Sequence, residues 1–96
     1  MAAYVIVEVE VHDPEAYRAY TSKVPATLAP FGGRFLVRGG ATETLEGEWR
    51  PQRLVVIEFP DAASANAWHA SPAYAEIAPI RHAHARTAFL TVVEGA

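Results

Sequence analysis

Tyr4-Val5-Ile6-Val7-Glu8-Val9-Glu10-Val11 decides the fold. In an extended chain Val5, Val7, Val9 and Val11 share one side, and Tyr4, Ile6, Glu8 and Glu10 share the other. Period two with β-branched residues marks a strand. Three further runs read the same way. Over 34–38, Phe35 and Val37 oppose Arg34, Leu36 and Arg38. Over 53–59, Val55, Ile57 and Phe59 oppose Leu54, Val56 and Glu58. Over 86–93, Ala88, Leu90 and Val92 oppose Thr87, Phe89, Thr91 and Val93.

Between the strands stand helix starts. Asp13-Pro14-Glu15 supplies a cap, a proline suited to the first helical position, and an acid that complements the dipole. Tyr17, Tyr20, Val24, Leu28 and Phe31 then follow at steps of three and four. Pro25 removes one donor and predicts a kink or restart, and Gly32-Gly33 ends the segment. Pro60-Asp61 opens a second helix with Asp61 as cap and Ala62, Ala65 and Trp68 on one stripe. Ser71-Pro72 repeats the start, for a short segment carrying Tyr74 and Ile77 that Pro79 limits. Residues 39–52 form a long connection, a length often tied to function or to a short hairpin.

The order β-α-β-β-α-β predicts one ferredoxin-like α+β domain over 1–96. Right-handed crossovers put both helical segments on one face of a four-stranded antiparallel sheet. The other face would carry Tyr4, Ile6, Glu8, Leu36, Arg38, Leu54, Val56, Glu58, Phe89, Thr91 and Val93. That face is too apolar for water. With no third layer in 96 residues, the cheapest cover is a second copy, so the expectation is a face-to-face homodimer.

Bulk properties exclude several function classes. A net charge of −3 with scattered Lys and Arg argues against a nucleic-acid partner. Without cysteine there is no disulfide framework, thiolate nucleophile or cysteine zinc cluster, which fits a reducing cytoplasm. No apolar run reaches membrane-spanning length, and the N-terminus enters a strand within three residues, so neither a membrane span nor a signal peptide is expected.

The ordered set of motifs resembles a widespread bacterial family, the domain of unknown function 1330 family. It rests on Asp13-Pro14-Glu15 with Tyr17 and Tyr20, then Gly32-Gly33-Arg34-Phe35-Leu36-Val37-Arg38-Gly39-Gly40. Leu45-Glu46-Gly47 with Trp49, Arg53 through Glu58-Phe59-Pro60, and Trp68 with Ser71-Pro72-Ala73-Tyr74 and Arg81 continue it. The resemblance implies the dimeric α+β barrel superfamily, in which two sheets pack face to face. That superfamily includes cofactor-free oxygenases, lactone isomerases and proteins without known activity, so the fold carries over and function does not.

The candidate chemistry centres on charges inside apolar strands. On strand phase, Glu8, Arg38 and Glu58 share the open face. They form either a polar patch in an apolar cavity, with Arg38 anchoring an anion and a carboxylate as base, or a structural ion pair within the dimer. Tyr20 and Trp68 would wall a pocket between sheet and helices or at the barrel mouth, gated by residues 40–50. Trp49, on the long connection, would cap the mouth or touch the partner copy. His82-Ala83-His84 offers two imidazoles on one side if extended, but too few ligands for a metal. Asn66 to His69 holds residue types used by cofactor-free oxygenases without matching a motif. The leading expectation is a cofactor-free, metal-free dimer that binds a small aromatic or carboxylate ligand. The alternatives are a cofactor-free oxygenase or isomerase and a non-catalytic dimerisation module.

Overall fold

The computed structural model describes residues 1–96. It runs β1 (Ala3–Val11), α1 (Pro14–Thr21), α2 (Val24–Leu28), a short 3-10 turn (Ala29–Phe31), β2 (Arg34–Arg38), β3 (Arg53–Phe59), α3 (Ala62–His69), α4 (Pro72–His84) and β4 (Ala85–Glu94). The strands pair antiparallel in the order β2-β3-β1-β4, the ferredoxin-like topology. The helix starts act as their residue types predict. Asp13, Asp61 and Ser71 each accept a backbone N–H from the residue three further on, Ala16, Ser64 and Tyr74. The restart at Pro25 is real: α1 ends at Thr21, and Pro25 stands in the first turn of α2.

The core lies between the sheet and the helices. Val5, Val7 and Val9 of β1 and Ile57 and Phe59 of β3 are buried beneath Tyr17, Tyr20, Leu28, Trp68, Tyr74 and Ile77. Trp68 is 1% exposed, and its indole N–H donates to Thr27 Oγ1 at 3.0 Å, so it is anchored in packing and polarity alike. Measured between Cα atoms, the domain is only 17 Å thick. That thickness holds two layers, so the second sheet face has no cover from this chain.

Three readings of the sequence need correction. The first is helical length. Pro79 does not end α4, which continues to His84. Pro79 and Ala75 both face solvent, so the carbonyl that loses its donor is open to water. Continuing the helix also carries Arg81 into the buried stripe begun by Tyr74 and Ile77. His82 and His84 therefore sit in a helical last turn, not on an extended segment.

The other two corrections are of strand phase. In β2 the register slips between Phe35 and Val37. Phe35 opposes Ile57, but Val37 opposes Val56 and Arg38 opposes Val55. Leu36 is the extra residue of a bulge, and beyond it inside and outside exchange. Arg38 thus lies on the helix side, and Val37 on the open face. In β4, Ala88 is the extra residue, so Thr87 opposes Val9 on the helix side, while Phe89, Thr91 and Val93 keep the open face.

Candidate functional site

The bulge in β2 divides the expected charge cluster. Arg38 points to the helices, where its guanidinium donates to the Thr21 carbonyl and stands 4.3 Å from the Phe35 ring centre. Glu8 and Glu58 remain on the open face and find other partners. Glu58 takes Arg34 at 2.7 Å, and Glu8 accepts the Trp49 indole N–H at 2.6 Å. Of the residues singled out in the sequence, Tyr20, Arg38 and Trp68 meet on the helix side. Glu8, Glu58 and Trp49 meet nothing of that group.

Where Tyr20, Arg38 and Trp68 meet there is a hollow between sheet and helices. Its water-accessible heart is about 30 Å3, inside about 430 Å3 of unfilled space that opens to the surface. The heart holds one or two waters, so a ligand larger than that needs wall side chains to swing aside. The walls are mostly apolar, from Val7, Val9, Ile57 and Leu90, with tyrosine hydroxyls and arginines set among them. Beside it lies a wider, more polar hollow of about 290 Å3. Tyr17, Thr21 and Arg53 line both.

Arg81 is the residue that sequence reasoning missed as a site candidate. Its side chain lines the inner hollow, yet the residue is only 5% exposed. It donates to the Tyr74 hydroxyl at 2.8 Å and lies 3.0 Å from His82 Nε2, and its Nε has no partner. No carboxylate lies within ion-pair distance of it. The signal was present: Arg81 follows Tyr74 by seven residues and Ile77 by four, on the buried stripe of α4. Reading Pro79 as a stop hid it. Arg53 was legible from the same strand phase that buries Val55, Ile57 and Phe59.

The tyrosines do not neutralise this cation. Burial pushes the Tyr20 hydroxyl above its ordinary range, reinforced by Tyr74, whose hydroxyl lies 2.8 Å away. Burial also raises Tyr17, and the charges of Arg81 and Arg53 oppose that rise without cancelling it. Both phenols therefore stay protonated near neutrality and keep a proton to donate. Arg81, Tyr74 and Tyr20 form one continuous polar chain, with Arg81 and Tyr20 at the wall of the hollow.

A fully charged guanidinium in an apolar interior costs several kcal/mol unless an anion compensates it. The arrangement can hold an oxyanion on Arg81 and an apolar or aromatic body against Trp68, Phe35 and the valines. No carboxylate, imidazole or thiol lines the inner hollow, so its walls offer no ordinary general base. No group of three His, Asp or Glu side chains is placed to hold a metal ion.

The family described as a domain of unknown function (DUF1330) matches residues 2–96. The chain belongs to the DUF1330 family. No curated protein matches it in sequence. Among solved structures, the RPA0582 protein of unknown function from Rhodopseudomonas palustris is 19% identical, with a TM-score of 0.78 over 99% of this chain and 82% of that one. SnoaB, a cofactor-independent oxygenase from Streptomyces nogalater, is 16% identical, with a TM-score of 0.68 over 99% and 93%. A dimeric ferredoxin-like protein of unknown function from Jannaschia sp. CCS1 is 17% identical, with a TM-score of 0.65 over 99% and 100%. These likenesses show that this DUF1330 member has the ferredoxin-like fold. In this member Asn66 is exposed and bonds the Ala62 carbonyl of its own helix, so it takes no part in the hollow.

Proposed function

We propose that this DUF1330 protein is a homodimer that binds a small organic anion with an aromatic or apolar body in the hollow between sheet and helices. The observation that carries the reading is Arg81, a buried cation with no carboxylate partner, facing an apolar hollow. Arg81 anchors the anion, the Tyr20 hydroxyl donates beside it, Trp68 and Phe35 wall the body, and Arg38 closes the entrance. Loss of the Arg38 contact with Thr21 accompanies entry. Isothermal calorimetry with benzoate and with its neutral counterpart benzamide tests the reading. Benzoate binds at millimolar concentration or better and benzamide at least tenfold more weakly. Equal binding of the two, or no binding of either, refutes it.

The homodimer is supported by the open sheet face. Ile6, Val37, Leu54, Val56 and Phe89 stand there side by side with no layer above them, and the Jannaschia protein of the same fold is described as dimeric. Glu8 with Trp49 and Glu58 with Arg34 then sit at that interface as pairs that fix its register. Sedimentation velocity at micromolar concentration shows a dimer under this reading and a folded monomer against it.

One observation favours a second reading, cofactor-free oxygenation. An arginine that holds an oxyanion also favours the enolate or phenolate form of a substrate, which then supplies electrons to dioxygen. SnoaB, of like fold, is described as a cofactor-independent oxygenase. Oxygen-electrode traces with readily oxidised hydroquinones test it, and a rate no faster than buffer rejects it for those substrates.

A further inference from the structure

Four of the eight Lys and Arg residues gather around the two neighbouring hollows: Arg81 and Arg38 at the inner one, Arg18 at the outer one, and Arg53 at both. None of the eleven acidic residues lines either hollow, although the chain as a whole is acidic. None of these four arginines makes an ion pair; the three ion pairs within the chain use Arg34, Arg86 and His12. Charge segregated this way raises the local concentration of anions and favours those with more than one charge. The hollows also differ in character. The inner one is small and largely apolar, while the outer one is roomy and lined by Arg18, Gln52, Thr21 and Arg53. An inner anion site alone explains Arg81. It does not explain why the outer hollow repeats the same charge with polar neighbours.

We infer that the two hollows are one elongated site for an organic dianion, with one acid group on Arg81, an aromatic body beside Tyr17, and a second acid group between Arg53 and Arg18. Tyr17 is the wall that both hollows share, so its ring is the surface along which the body lies. Arg53 stands at the junction and is held close by Gly39, whose φ of +72° suits glycine; a Cβ there would collide with the guanidinium. Gln52, which accepts the backbone N–H of Val11 at 2.6 Å, fixes the floor of the outer hollow. The ligand class is an aryl dicarboxylate or an aryl carboxylate bearing a phosphate; a second acid of either kind meets the same pair of guanidiniums.

This inference rests on the anion-binding reading, and a titration series tests the two separately. Benzoate, terephthalate and the longer para-carboxycinnamate are titrated into the wild-type dimer and into Arg18→Gln and Arg53→Gln. Arg18 is exposed, so its replacement leaves the fold intact, and Arg18→Lys serves as a charge-conserving rescue. In the wild type at least one of the dianions binds about tenfold more tightly than benzoate, with a steeper loss at high salt. Arg18→Gln removes that advantage and leaves benzoate affinity unchanged, Arg18→Lys restores most of it, and Arg53→Gln lowers it as well. If benzoate binds and neither dianion binds more tightly, or if Arg18→Gln leaves the advantage intact, the elongated site is wrong while the anion reading stands. If no compound in the series binds, both fall.

Discussion

The two faces of this one sheet have been given opposite chemistry. On the helix side, Val7, Val9 and Ile57 surround arginines that have no acid partner. On the open side, Ile6, Leu54 and Val56 surround Glu8 and Glu58, both of which are engaged by donors. The strands are the same, and their residues alternate between the faces. This contrast is what the anion-binding proposal rests on. Under the proposed reading, the engaged charges of the open face belong to a contact with a second copy, and the buried Arg81, with no acid partner, to an anion.

The largest effect is expected at the open face. Ile6 opposes Val56 at its centre, and Ile6→Glu would place an unpaired charge there. Its expected outcome is a dimer dissociation constant raised about a hundredfold or more, read by sedimentation, with benzoate binding by each protomer retained. Loss of dimer and ligand together would break the comparison, because it would make the hollow depend on the partner copy.

Next comes the junction at Gly39. Gly39→Ala forces an L side chain into a left-handed backbone against Arg53 and is expected to cost about 1 kcal/mol of stability. It also lowers the affinity for terephthalate relative to benzoate, measured by calorimetry. A smaller effect is expected at Arg34, whose side chain is 71% exposed. Arg34→Gln breaks a largely solvated ion pair with Glu58 and is expected to change protomer stability by less than about 1 kcal/mol in chemical denaturation.

The smallest effect is a matter of pH. Hydrogen bonds from Ser64, its backbone N–H first, hold the Asp61 carboxyl below its ordinary value. A carboxyl depressed in the folded state contributes stability that is fully present above its unfolded value and is lost as pH falls through its folded value. Asp61→Asn keeps a cap but removes this dependence. Thermal midpoints of the two proteins are therefore expected to converge as the medium is acidified below the ordinary carboxylate range.

Much of this was legible beforehand, for local physical reasons. Alternating valines gave β1, Asp-Pro and Ser-Pro pairs gave the helix starts, and the apolar second face gave the case for a partner copy. Arg38 was misplaced because Leu36 and Val37 are both apolar, so an inserted residue leaves no trace in a period-two pattern. The pairing partner on β3, not the sequence of β2, sets the phase there. Arg81 was missed because the cost of an interior proline is local, whereas the burial gained along the rest of α4 is tertiary. Tyr20 and Trp68 lie on the helix side of the sheet as expected, because a helical stripe that begins at a firm cap keeps its phase.

On the anion-binding proposal, Arg81 is kept for a ligand and not for stability. Chemical denaturation of wild type and Arg81→Met, each with and without saturating benzoate, tests it most directly. The account predicts that unliganded Arg81→Met is as stable as wild type or up to about 4 kcal/mol more so, because an apolar side chain of similar length replaces an uncompensated buried charge. It predicts further that benzoate stabilises the wild type alone. A variant destabilised by about 3 kcal/mol or more, with its response to benzoate intact, would contradict it.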